Sequence, residues 1–262
     1  MAKKIVITSG KGGVGKSTIT ANLGIALSDM GAKVLLVDLD FGLNNLDVIL
    51  GVENKVCFDV GDVINCRCRL KQALVLCSEK RNLYVLPSGN VNSFSNISGQ
   101  NIKLLLESVN NLFDYIIIDC PAGIDVGFHR AISCVEHALI VATPSLSSIR
   151  DADKVVSVLK SYKLDSINLI VNKARGDLIL VSKMINPYDI EQILKVPLIG
   201  VLPEEDNIFL ANGCKLSKKS QSYKAYKILA NNLHFNKKKI YDVSIKYSGF
   251  FGSIRGSIKR RV

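Results

Sequence analysis

The sequence predicts an α/β fold: a mostly parallel, twisted sheet with helices on both faces. Three observations carry this expectation. Hydrophobic runs alternate with amphipathic stretches along the chain. The runs are nearly continuous in Ile, Val and Leu, as in strands covered on both faces. Several of them end in Asp or Asn, and open α/β sheets collect ligands beyond the carboxyl ends of their strands. With 262 residues, 48% of them apolar, one large domain is the economical reading. No internal repeat or long linker interrupts it before a basic tail.

The first strand is the β-branched run Lys4-Ile5-Val6-Ile7-Thr8. Gly10-Lys11-Gly12-Gly13-Val14-Gly15-Lys16-Ser17-Thr18 follows, and Ile19, Leu23, Leu27 and Met30 then recur as one apolar helix face opening near Ser17. Strand, glycine loop and helix form the frame of a phosphate-binding loop. Glycines let backbone N–H groups turn toward phosphate oxygens, Lys16 reaches the β/γ-phosphates, Ser17 ligates Mg²⁺, and the helix aims its positive end at the anion. The expected fold is therefore of the P-loop NTPase type. Lys11 is a second lysine where most such loops tolerate any residue.

The next strand, Val34-Leu35-Leu36-Val37, ends in Asp38-Leu39-Asp40, and Tyr115-Ile116-Ile117-Ile118 ends in Asp119. Acids at these positions are expected to face the phosphates and to anchor Mg²⁺. Either aspartate taken alone is also a type that caps a following helix or turn. Further strands are predicted over 84–87, 138–143, 169–172 and 198–202, and helices over 100–112, 149–162, 188–194 and 223–233.

No apolar run approaches the ~20 residues of a spanning helix, and Met1-Ala2-Lys3 enters the first strand at once, so neither a signal peptide nor a membrane span is expected. Seven cysteines without framework spacing suit a reducing compartment, and Cys66-x-Cys68 lacks the gap of a metal knuckle. His129, His137 and His234 are scattered and suggest no metal site. Charge is informative only when divided. Residues 215–262 hold thirteen Lys/Arg and one acid, a net +12, whereas the preceding 214 residues sum to −1. A neutral body with a basic tail suggests an anchor that seeks a polyanion.

The division expected is 1–236 for the ATPase domain and 237–262 for the tail, with an amphipathic helix over about 247–262. Wound at ~100° per residue, Phe250, Phe251, Ile254 and Ile258 share one sector with Arg255 and Lys259 at its border, the pattern of an in-plane helix on anionic lipid. Arg261 falls inside the apolar sector. Gly249, Gly252 and Gly256 each cost about 1 kcal/mol of helix propensity, so order is expected only on contact with a membrane. A solvated tail or a nucleic-acid tail would use the same residue types.

Together these residues resemble the deviant Walker A ATPases of the MinD/ParA family, and more closely those members that position the bacterial division site. The resemblance runs through Lys11–Thr18, Asp38–Asp47, Cys68–Leu74, Asp119–Ile124 and Ile149–Asp153, and the tail is similar in position and character to the family's membrane-targeting sequence. It implies ATP and Mg²⁺ as cofactors, slow ATP hydrolysis unless a partner and a membrane stimulate it, and a homodimer formed with ATP. Lys11 is then the signature lysine that reaches the partner's phosphates, Lys16 and Asp40 complete the catalytic set, and Asn45 helps place the water. Ser17, Asp38 and Asp119 support the metal, and Asn172 resembles the adenine-reading position. Residues 148–153 resemble the start of a partner-docking helix. Implied partners are anionic lipid, a MinC-like division inhibitor and a MinE-like or polar-landmark factor, on the cytoplasmic face of the cell membrane or the stromal face of a plastid inner envelope. A FlhG-like regulator of flagellar number, a ParA-like DNA-partitioning ATPase and a non-hydrolysing scaffold are the competing readings; nucleic acid is not the expected partner.

Overall fold

A computed structural model describes residues 1–41, 46–77, 82–89, 97–205, 216–249, 252, 256 and 257. In chain order the elements are β1 (Lys3–Thr8), α1 (Lys16–Asp29), β2 (Val34–Asp38), α2 (Leu46–Leu50), α3 (Val60–Ile64), α4 (Leu70–Ala73), β3 (Val75–Leu76), β4 (Leu83–Leu86), α5 (Gly99–Val109), β5 (Tyr115–Asp119), α6 (Val126–Ile132), β6 (His137–Ala142), α7 (Leu146–Leu159), β7 (Ser166–Ala174), α8 (Gly176–Ile179), α9 (Pro187–Leu194), β8 (Leu198–Pro203) and α10 (Gln221–Phe235). The eight strands form one sheet in the order β3-β4-β2-β5-β1-β6-β7-β8. Every pairing is parallel except the short β3–β4 ladder.

Two apolar cores flank the sheet, and the strands feed them alternately. Ile5 and Ile7 join α1 and α10 through Ile19, Leu23, Leu27 and Leu229, while Val6 joins the opposite layer with Leu106, Phe128, Val156 and Ile190. Side chains of period two therefore bury both faces, which is why the runs lack polar alternation. At Gly24 an added Cβ would fall 2.8 Å from a Leu36 methyl, so glycine there permits α1 to lie close on the sheet.

The long elements expected between residues 4 and 233 are present, with shifted ends. The helix expected from 149 begins at Leu146 because the Ser145 hydroxyl accepts the Ser148 N–H. Ser98 likewise caps α5, accepting from the Asn101 N–H. Strand β3 and helices α2, α3, α4, α6 and α8 were not expected. Each spans seven residues or fewer, too short for a period to show.

Helix α10 ends at Asn236 in the left-handed region, φ 52°. The chain beyond packs back on the body. Asn232 donates to the carbonyls of Ile199 (2.9 Å) and Lys239 (2.7 Å) and accepts from the Lys239 N–H, Ile240 and Tyr241 lie against the core, and Val243 and Tyr247 are buried. No described helix is long and apolar enough to cross a membrane. Phe250, Phe251, Ile254, Arg255, Ile258 and Lys259 lie outside the described residues.

Asn232→Ala strands the Lys239 peptide and the Ile199 carbonyl. It is expected to cost about 1–3 kcal/mol in thermal unfolding and to speed tryptic cleavage at Lys237–Lys239.

Candidate nucleotide site

Strand β1 delivers the loop to the carboxyl edge of the sheet, and two glycines there adopt conformations closed to other residues. Gly13 has φ 74° and Gly15 φ 97°, the latter capping α1 while its carbonyl accepts the Ile19 N–H. Three carbonyls of the loop are held from outside. The Ser9 hydroxyl donates to Lys11 O (2.8 Å), Lys173 Nζ to Gly13 O (2.8 Å) and Asn172 Nδ2 to Val14 O (2.7 Å). In a planar trans peptide the N–H opposes the C=O, so the N–H groups of Gly12, Val14 and Gly15 face away from those donors, toward the cradle. A Cβ on Gly15 would fall 2.5 Å from Asn172 Nδ2, and one on Gly10 2.2 Å from the Asp151 carbonyl of α7. The loop is thus bedded between the end of β7 and the first turns of α7.

Behind it, β2 and β5 are neighbours, and their register sets Asp38 directly beside Asp119. Both are buried. Asp38 accepts the N–H groups of Asp40 (2.9 Å) and Leu46 (3.4 Å), so it braces the chain on either side of 42–45. Asp119 accepts from the Thr20 hydroxyl at Oδ1 (3.3 Å), whereas its Oδ2 is buried without a regular hydrogen bond among the described residues. Burial, and then the Asp38 charge, push the Asp119 carboxyl up to about 8, against the pull of the Ser17 hydroxyl and Lys16. Burial also raises half-buried Asp40; Lys16 opposes this and Asp125 adds to it. An orphaned carboxylate oxygen beside Lys16 and Ser17 fits a divalent cation bridged to phosphate, the donor chemistry that Mg²⁺ takes.

Lys11 faces outward. It is exposed, and its ammonium donates to the Ser147 hydroxyl on α7 at 3.3 Å. Leu146, next to Ser147, is 77% exposed, and Ile124 and Val126, just after the Gly123 N–H that donates to Ser9 O, are exposed as well. Within 148–153, Ser148, Ile149 and Ala152 are buried and Ser148 accepts the Thr143 N–H, which leaves Arg150 and Asp153 on the outer face. Thr20, Asp125, Ser147 and Lys173 escaped the sequence reading of the site. Only Lys173, next to Asn172, carried any local hint. Asn45 lies outside the described residues. Six described cysteines are free, with burial pushing the Cys77 thiol up to about 12, and no group of three metal-ligating side chains occurs among the described residues.

A parallel sheet with a glycine loop closing onto a helix, backed by strand-end acids, defines a P-loop nucleotide-binding protein. The family described as the CobQ/CobB/MinD/ParA nucleotide binding domain matches residues 5–214. The septum site-determining protein MinD of Synechocystis is 45% identical over 211 residues, covering 80% of this chain and 79% of that protein. The MinC:MinD cell division complex of Aquifex aeolicus contains a chain 39% identical, with a TM-score of 0.84, covering 91% of this chain and 97% of its own. The septum site-determining MinD of Pyrococcus horikoshii, solved with Mg-ADP, is 33% identical with a TM-score of 0.80, covering 89% and 96%. The chain belongs to the MinD/ParA family of ATPases, in its septum site-determining MinD branch.

Replacing Asp119 by Asn removes a charge that burial disfavours. A carboxyl whose folded pKa is raised loses stability as pH climbs from the unfolded value toward the folded one. Nucleotide-free wild type should therefore melt lower at pH 8 than at pH 6, and Asp119→Asn should flatten that slope. The variant should also lose most of the added thermal shift that Mg²⁺ confers in the presence of ATP.

Proposed function

We propose that the protein is a division-site ATPase that binds ATP with Mg²⁺, dimerises in that state, attaches to the inner membrane surface and recruits a MinC-like division inhibitor. The observation that carries this reading is the outward Lys11. Its ammonium rests on Ser147 at the rim of the cradle, where a second copy of the same face can meet it. The exposed apolar side chains of Ile124, Val126 and Leu146, which follow the carboxyl ends of β5 and β6, suit burial against that copy.

Each residue then has a defined task. The loop amides, Lys16 and the α1 N-terminus bind the phosphates, and Ser17 and Asp119, with Asp38 beside them, would hold Mg²⁺, which would supply positive charge to offset that of the phosphates. Asp38 keeps the Asp40 segment in register. Asp40 orients the attacking water and takes its proton, a task favoured by a carboxyl raised through burial. Asn172 braces the loop by its amide nitrogen and accepts from adenine by its oxygen. Lys11 adds positive charge at the partner's phosphates only when two subunits meet, so hydrolysis by the monomer is slow.

The tail converts dimerisation into attachment. One weak amphipathic segment binds marginally, whereas two on a dimer make the second contact intramolecular and raise avidity by roughly 10². A MinE-like or polar-landmark factor would release the dimer by triggering hydrolysis. This is the behaviour of a peripheral protein cycling onto the cytoplasmic face of a bacterial membrane or the stromal face of a plastid envelope.

Sedimentation with anionic vesicles tests the reading. Binding in ATP well above that in ADP, abolished by deleting 248–262, is the expected result. Retention on DNA with indifference to vesicles would point instead to DNA partitioning. In the same assay Lys11→Ala should retain ATP binding yet lose ATP-dependent sedimentation, and Asp40→Ala should sediment with ATP but fail to release as time allows turnover.

A further inference from the structure

Two exposed turns meet where the chain leaves the body. After α8, the Ser182 N–H donates to Ile179 O (3.0 Å) and the Lys183 N–H to Leu178 O (2.9 Å), with Ser182 at φ 54°. This tight turn lifts Leu180 and Val181 to its tip, 51% and 42% exposed, with exposed Lys183 just behind. In the second turn the Tyr247 N–H donates to Ser244 O (2.8 Å), which puts Ile245 and Lys246 at the central positions. Ile245 is 67% exposed, while Val243 and Tyr247 are buried and hold both ends of the turn down.

Gly176 joins the two turns. A Cβ there would fall 2.1 Å from Val243 O and 2.8 Å from Ser244 Cα, so only glycine permits this crossing, and the Leu180 N–H donates to Gly176 O (3.1 Å). Both tips thus lie within about one helical turn of the same contact. Of the nearby acids, Asp177 is buried and paired with Arg175 at 2.9 Å, which leaves exposed Asp242 against Lys183 and Lys246.

These apolar side chains stand out from turns rather than lining a groove, and each tip has a lysine beside it. That arrangement suits a deformable apolar layer under anionic headgroups better than the contoured surface of a folded protein. The second turn also runs directly into the basic amphipathic segment that begins at Ser248.

We propose that Leu180, Val181 and Ile245, with Lys183 and Lys246, form a second lipid-contact surface on the folded body, seated by the Gly176 junction at the root of the tail, and that its partner is an anionic bilayer. The inference rests on the membrane reading of the tail. Because the turns are already ordered, their contact carries little ordering cost. It also sets the body at a fixed angle to the membrane, which the tail alone does not do.

The chain contains no Trp, so Ile245→Trp supplies a single reporter. In the full-length protein with ATP and anionic phospholipid vesicles, its emission should shift to the blue and be quenched by lipids brominated in their acyl chains. Leu112→Trp, at an exposed position just before β5 on the opposite edge of the sheet, should do neither. Joint replacement of Leu180, Val181 and Ile245 by Ser should weaken vesicle affinity about tenfold, with vesicle-free melting and hydrolysis unchanged. An unshifted, unquenched Ile245→Trp on protein that sediments with vesicles, or a triple-serine variant that binds as tightly as wild type, overturns the body contact and leaves tail attachment standing. Failure of the wild type itself to sediment overturns the membrane reading and this inference together.

Discussion

Two carboxylates and an ammonium are buried side by side at the carboxyl edge of the sheet, and the organisation of the site follows from the cost of keeping them there. Parallel register between β2 and β5 forces Asp38 and Asp119 into adjacency. Water is excluded from both, so each needs protein partners or a cation. Asp38 finds backbone N–H groups and becomes a brace. Asp119 keeps an oxygen without one, and burial beside the Asp38 charge raises its pKa. A Mg²⁺ ion held there, as proposed above, would supply the missing partner.

The same edge explains how the phosphate cradle is shaped. Its carbonyls are tied by Ser9, Asn172 and Lys173, groups outside the cradle, so the inward N–H groups are oriented by the fold itself. Preorganisation of this kind lowers the reorganisation required on binding. Two of the ties come from the end of β7, and α7 packs against Gly10 closely enough to exclude any side chain. Lys11 reaches that same helix through Ser147. The helix packed on the loop thus also turns an outer face, with Arg150 and Asp153, toward solvent.

Charge and order are distributed unevenly for a physical reason. Residues 1–214 sum to −1, while residues 215–262, which include α10, carry +12. Packing of Ile240, Tyr241, Val243 and Tyr247 extends the ordered body well into that basic segment. Residues 239–247 are therefore rooted in the fold, held by Asn232 and at the Gly176 crossing.

The sequence by itself determined the elements whose information is local: the strands of continuous Ile, Val and Leu, the long helices with a regular apolar stripe, and the loop Gly10–Thr18, where each residue type has a narrow chemical purpose. It also placed Asp38, Asp40 and Asp119 at strand ends, because a strand's end and its last residue are adjacent in the chain. Short helices such as α6 and α8 were invisible, since less than two turns shows no period. The division of labour between Asp38 and Asp119 was equally hidden. Both read as strand-end acids, and only the neighbouring backbone, folded over from Asp40 and Leu46, decides which one is satisfied. Thr20, Ser147 and Lys173 enter the site across separations of 99, 136 and 160 residues. Contacts of that range depend on strand order and helix packing, which no spacing along the chain records, and so tertiary structure alone decided them.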